Sequence, residues 1–268
     1  MPLADLGDVS LHFKDHGNPE APPALGVMGF ALDQRYWAAQ IPAVTATHRF
    51  VTFDNRGVGR STGDASVPLE TMADDAIRLL DHLGIEKTVV FGLSMGGTIA
   101  QHLVLDHPDR VSALILGVTW ARPLEFMRRQ DDLARVIVEA RGADSLFEVA
   151  LLRMFTPKFF EMGAEALDRM VRALNAPGAP AGPTAETLLA QIDALTKHDV
   201  LDRLGGITCP TLVMGGVLDM MVPGFASEEI AAAIPGAELT MFKTGHGCMI
   251  EEMGEFNARV STFLAGLL

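Results

Sequence analysis

Cysteine is almost absent from this chain. Cys209 and Cys248 are the only two in 268 residues, and they do not make a disulfide framework. Long apolar runs are missing as well. No uninterrupted stretch approaches the roughly 20 residues that a membrane helix needs, so no membrane partner is expected. The start of the chain, Met1-Pro2-Leu3-Ala4-Asp5, lacks a basic segment followed by an apolar one. No signal peptide is visible, and a cytoplasmic location is expected. Positive charge is scarce: 21 Lys and Arg stand against 34 Asp and Glu, a net charge of -13. That balance argues against nucleic acid and anionic membranes as partners. It says little about a small substrate, although a strongly anionic one would need local arginines. Metal-ligand patterns are also lacking. His12 and His16 share a face of an expected edge strand with no third ligand nearby. His102 and His107 lie along and just past a helix that Pro108 ends.

What is present fits one globular domain over residues 1–268. Apolar residues make up 49% and charged residues 21% of the chain, which excludes disorder. Alternation in Val9, Leu11 and Phe13 predicts a strand over 8–15. Further strands are expected near 24–28, 49–54, 87–92 and 111–118, then at 211–214 and 239–242. Helices are expected near 36–46, 70–83 and 95–106, with a closing helix from about 251. The second helix is read as starting at Thr71-x-x-Asp74 and ending at Gly84. Strands alternating with helices of this length imply parallel pairing and right-handed crossovers. The alternation breaks between residues 120 and 199, where helical periodicity continues without strands.

Gly92-Leu93-Ser94-Met95-Gly96 carries the most chemistry. It follows the apolar run 88–91 and opens into an apolar helix. A serine on so abrupt a strand-to-helix turn sits in strained backbone, and small residues two positions either side let strand and helix approach. The hydroxyl is then held out beside a helix N-terminus whose free N–H groups attract an anion. A glycine-rich chain can produce this pentapeptide by chance, so its position between strand and helix carries the weight. A nucleophilic serine needs a base and a group to orient that base. Asp219 follows the run 211–214 and His246 follows the run 239–242. Three catalytic residue types therefore stand just past three strands, in the order Ser, Asp, His, and a parallel sheet gathers such positions on one edge.

On these residues the chain resembles the α/β-hydrolase family. Phe53-Asp54-Asn55-Arg56-Gly57-Val58-Gly59-Arg60-Ser61 is similar to the family's D-x-R-G-x-G-x-S loop. Val27-Met28-Gly29-Phe30 stands where the family usually carries His-Gly-x, with Met28 in place of the histidine. The resemblance runs from about residue 8 to the end and weakens between 120 and 200. It implies an α/β fold with a mostly parallel, twisted sheet of about eight strands, helices on both faces and a helical cap (120–199) inserted after strand six. It implies an oxyanion hole made by the backbone N–H groups of Phe30 and Met95. It also implies a serine hydrolase without cofactor or metal, acting on a small-molecule ester or lactone. The Met-rich apolar cap helices allow a homodimer as well as a monomer.

Substrate contacts are less defined. Met28, Trp120 and Cys248 are candidates to line the pocket, with core packing as the plain alternative for each. Phe126, Met127, Phe147, Met154, Phe155, Phe159, Phe160, Met162 and Met170 in the cap carry the same two readings. Arg122 and His198-Asp199 are candidate polar contacts. The expected activity is cleavage of a small to medium, largely apolar ester or lactone. Two alternatives stay open: a carbon–carbon bond hydrolase of ring-cleavage products, suggested by Ser94-Met95-Gly96-Gly97, and a ligand receptor built on the same fold.

Overall fold

The computed structural model describes residues 2–174, 176 and 178–268, without the side chains of residues 166, 170, 173 and 174. The apolar runs form strands β1 (Leu3–Asp5), β2 (Ser10–His16), β3 (Pro23–Val27), β4 (Arg49–Phe53), β5 (Thr88–Leu93), β6 (Val111–Gly117), β7 (Thr211–Gly216) and β8 (Glu238–Phe242). They make an eight-stranded sheet in the order β1-β2-β4-β3-β5-β6-β7-β8. Pairing is antiparallel from β1 to β2 and from β2 to β4, and parallel elsewhere. β5 therefore lies in the interior of the parallel region, with β3 and β6 on either side.

The helices are α1 (Ile41–Thr45), α2 (Leu69–His82), α3 (Met95–Asp106), α4 (Glu125–Arg141), α5 (Ala143–Met154), α6 (Pro157–Leu174), α7 (Ala185–Leu195), α8 (Phe225–Ala233), α9 (Cys248–Glu251) and α10 (Met253–Ala265). Strand residues alternate between two apolar layers, as a pleat covered on both faces requires. Val90, Leu114 and Leu116 pack with Met72 and Leu80 of α2, Ile99 of α3 and Ile230 of α8. Val89, Phe91, Ala113 and Ile115 pack with Val44 of α1 and with Phe256, Val260 and Phe263 of α10. Helices α4 to α7 lie between β6 and β7, so the strand-free stretch is a helical insertion after strand six, as expected.

Several local expectations need correction. β2 is not an edge strand, because the short β1 pairs along Ser10–His12. β1 itself, Leu3–Asp5, lies ahead of the strand expected over 8–15. The helix expected over 36–46 is a 3-10 turn, Gln34–Ala39, followed by α1. Pro42 lacks the N–H that a continuous helix would use, so it sits at the start of the second piece. α2 begins at Leu69 behind Pro68, whose extended backbone ends the preceding loop, so Thr71 falls inside the helix rather than capping it. Gly84 does close it, at φ +67°. α8 was not foreseen between β7 and β8.

Candidate active site

The strand-to-helix turn takes the strained form its sequence requires. Ser94 has φ 54° and ψ -122°, a region costly for any residue with a Cβ. Its N–H donates to the Gly117 carbonyl (2.8 Å), and its carbonyl accepts from Gly97 N–H (2.8 Å) and Thr119 Oγ1 (2.8 Å). A Cβ at Gly92 would meet the Gly96 carbonyl and the Gly97 Cα. One at Gly96 would strike the Val27 carbonyl. Only glycine lets the strand, the helix and the loop after β3 come this close.

His246 follows β8, and Asp219 follows β7. His246 Nδ1 donates to Asp219 Oδ2 at 2.7 Å, with both side chains buried. The other carboxylate oxygen, Oδ1, accepts from the N–H groups of Met221 (2.7 Å) and Val222 (2.8 Å). That grip fixes the carboxylate and with it the orientation of the imidazole. Ser94 and His246 both line one cavity of about 510 Å³. Asp219 stands behind His246, away from that cavity.

The loop after β3 lies against Ser94. A Cβ at Gly29 would sit 3.2 Å from Ser94 Cβ. Met28 and Phe30 line the cavity. The Phe30 N–H makes no hydrogen bond among the described residues. Nor does the Met95 N–H, at the first position of α3, where a helix provides no acceptor. The D-x-R-G loop braces this region from behind. Arg56 forms a buried ion pair with Asp75 of α2 (2.6 Å). Asp54 accepts from Gln34 N–H (2.8 Å), Arg60 N–H (2.9 Å) and His12 Nδ1 (2.9 Å). Asn55 Nδ2 donates to the Met28 carbonyl (2.9 Å).

The cavity is largely apolar. Leu32, Tyr36, Leu146, Leu151, Leu188 and Ile250 contribute to it, with Arg35, Asp33, Asp144 and Glu148 as its charged members. Of the cap residues raised from sequence, Phe147, Met154 and Phe155 line it. Phe126 and Met162 are exposed instead, Met127 packs on the main core, and Phe159 and Phe160 pack on Phe155. The side chain of Met170 lies outside the described residues.

Two expected pocket residues do not line the cavity. Trp120 is buried in the main core, because the chain turns back after β6 through Val118 at φ 47°. Its ring meets His198 edge-on, and its carbonyl accepts from Gln101 Nε2 and His198 Nε2. Cys248 is fully buried among the α10 residues at the start of α9. Burial pushes its thiol far up, so it stays protonated and packs as a small apolar group. Arg122 pairs with Glu229 (2.7 Å) rather than reaching the cavity. His12 and His16 bond Asp54 and Thr52 separately. Among the described residues no cluster of three or more His, Cys, Asp or Glu is placed to hold a metal ion, and no helix is long and apolar enough to cross a membrane.

Comparison with known proteins settles the family. The profile described as alpha/beta hydrolase fold matches residues 16–252. The chain belongs to the α/β-hydrolase fold family. Within it, this hydrolase is 31% identical over 261 residues to a Caulobacter vibrioides protein named "Putative carbamate hydrolase RutD", covering 96% of each chain. Among solved structures it is similar to the enol-lactonase from Burkholderia xenovorans LB400, with 27% identity, a TM-score of 0.89 and coverage of 98% of this chain and 100% of that one. It is also similar to a thermophilic esterase from Thermogutta terrifontis, at 29% identity and a TM-score of 0.85, covering 98% of this chain and 96% of that one.

Sequence reasoning missed residues that hold this α/β-hydrolase site from outside. Glu251 accepts from Gly245 N–H (2.9 Å), Thr156 N–H (3.1 Å) and Thr156 Oγ1 (2.5 Å), tying the His246 loop to the cap. Gly247 N–H donates to the Met154 carbonyl (2.8 Å). Gln130 Nε2 and an Arg153 guanidinium nitrogen donate to the Met221 and Met220 carbonyls (2.9 and 3.1 Å), tying the Asp219 loop to α4 and α5. No motif marks these side chains, because each acts across a long sequence separation on a backbone group.

Proposed function

We propose that this α/β hydrolase cleaves carboxylic esters or lactones with a small to medium, largely apolar group, through an acyl-enzyme on Ser94. The observation that carries the reading is one cavity with a mostly apolar wall, lined by Ser94 and by a His246 that Asp219 holds at 2.7 Å. In this mechanism Ser94 Oγ attacks the acyl carbonyl. His246 Nε2 takes the hydroxyl proton and then delivers it to the leaving alcohol. Asp219 keeps the imidazole in the tautomer with Nδ1 protonated and stabilises its charged form. The oxyanion of the tetrahedral intermediate meets the free N–H groups of Phe30 and Met95, each contributing about 3 kcal/mol to transition-state stabilisation. Water, activated by the same histidine, then releases the acid. None of these steps draws on a metal or cofactor.

Names of relatives point to three acyl chemistries: carbamate, enol-lactone and ester. The same machinery would attack each. The breadth of apolar lining favours a substrate with a sizeable apolar part over a small polar carbamate, because burying polar groups there without partners is costly.

Hydrolysis of p-nitrophenyl acetate, butyrate and octanoate by wild type and Ser94→Ala tests the reading. Release should depend on Ser94, rise from acetate to butyrate, and fall at least about 10³-fold in Ser94→Ala. Turnover that survives Ser94→Ala would remove the serine mechanism. Labelling of Ser94 by a fluorophosphonate without release of any ester would move the substrate to lactones, carbamates or carbon–carbon bonds.

A further inference from the structure

The loop that carries the candidate oxyanion donor is built into the cap. Phe30 and Ala31 pack into an apolar cluster whose other described members, among them Val138, Leu146, Leu188 and Leu189, all come from the insertion. The loop itself is a turn, closed by Leu32 N–H to the Gly29 carbonyl (3.3 Å). Ala31 occupies its third position at φ +64°. A type II turn demands a positive φ there and ordinarily takes glycine. With alanine, the turn would relieve its strain by flipping the Phe30–Ala31 peptide into the type I form, which turns over the Phe30 carbonyl and leaves the adjoining Phe30 N–H less firmly set. Something must oppose that flip.

Gln191 of α7 stands in place to do so. It is fully buried, and its Oε1 accepts from Ala31 N–H at 3.0 Å. Its Nε2 has no partner among the described residues, so the hydrogen bond to that peptide is the one this buried amide makes among them. From the body side Asn55 holds the Met28 carbonyl. The turn is thus pinned at both ends, and one of the pins belongs to the cap.

We infer that Gln191 is a positioning residue, a cap-borne latch that holds the oxyanion turn in its strained form so that the hole is complete only with the cap seated. The inference rests on the serine-hydrolase reading above. A group that acts on the hole contributes in the transition state and appears in kcat rather than KM. Gln191→Met and Gln191→Leu keep the bulk and remove the acceptor. Each should lower kcat on p-nitrophenyl butyrate about ten- to hundredfold, with KM within about threefold. A butylboronic acid, whose tetrahedral adduct on Ser94 places an oxygen in the hole, should lose affinity by a similar factor. Glycine takes a positive φ without strain, so adding Ala31→Gly to either variant should restore most of the lost kcat.

Wild-type kcat and boronate affinity in either folded Gln191 variant would overturn the latch. So would a loss that Ala31→Gly leaves untouched, or one confined to KM and melting temperature. Ser94→Ala run alongside separates the two ideas. If it keeps full turnover, the serine reading falls. If it is inactive while Gln191→Met matches wild type, only the latch falls.

Discussion

Ser94 and its neighbours hold positions that only a few residue types tolerate. The serine is in left-handed backbone, Gly92 and Gly96 each face another segment too closely for a side chain, and Gly29 leaves only tight space beside Ser94. That is why the turn was legible from sequence: sterics here write themselves into residue identity. Gly96→Ala tests the point. Its Cβ would meet the Val27 and Met28 carbonyls, which are backbone and cannot rotate away. We expect a loss of about 3 kcal/mol or more, or failure to fold, together with loss of hydrolase activity. A soluble variant with a near-native urea midpoint would show that the loop after β3 has more room than its packing implies. Trp120 and Cys248 show the limit of residue-level reading. Both stand close in sequence to strand ends or to His246, yet side-chain direction depends on local turns, at Val118 and at the start of α9, that periodicity does not reveal.

At the scale of elements, the central strands β3 to β7 were legible because their runs are apolar on both faces, as a covered parallel sheet demands, and β2 because its apolar and polar residues alternate. The antiparallel β1 was not, since three residues carry no period. The cap helices were recognisable as helices, but which of their faces meets the body was not. α4 illustrates why. Apart from Val138 its residues are exposed or half-buried, and its contacts with the body are scattered: Met127 on the main core, Val138 beside Phe30 and Ala31, and Gln130 on the Met221 carbonyl. On this helix Asp131 is partly buried, and desolvation raises its carboxyl to about 6, opposed by Arg135 and Arg153. The folded form therefore holds a proton between about pH 4 and 6 that the unfolded chain has already lost. Stability falls as pH rises through that window, and the penalty is complete above it. Asp131→Asn removes the penalty. It should stabilise the protein by about 1–2 kcal/mol at pH 8, allowing for partial exposure, and by much less at pH 4. Equal gains at the two pH values, read by urea denaturation, would count against this account.

At the scale of the whole molecule, the order β4-β3-β5-β6-β7-β8 brings five sequence-distant loops to one sheet edge, and the cap closes over them. Elsewhere the fold holds a buried pair of histidines. His198 Nε2 donates to the Trp120 carbonyl, so its Nδ1 accepts from His102 Nε2 at 3.1 Å. Burial, with His102 adjacent, pulls His198 down to about 3. The unfolded chain gains a proton at this residue below about pH 6.5 that the folded protein refuses until near pH 3. Stability is therefore lost as pH falls through that range, by up to about 1.4 kcal/mol for each pH unit. His198→Gln keeps a donor for Trp120 and an acceptor for His102 but does not titrate. Its unfolding free energy should decline less steeply than that of wild type between pH 6 and 4. Parallel declines would mean that other groups set the acid sensitivity.

The amino-acid sequence by itself determined the fold class and marked Ser94, Asp219 and His246 as the candidate catalytic residues, because steric and chemical demands at the strand ends admit few residues. Tertiary structure alone decided which side chains wall the cavity and which hold its loops in place. Gln191, Glu251 and Asn55 act through one hydrogen bond or a few on backbone groups far away in sequence. Such bonds place no repeated requirement on neighbouring residues, so they leave no pattern to read until the chain is folded.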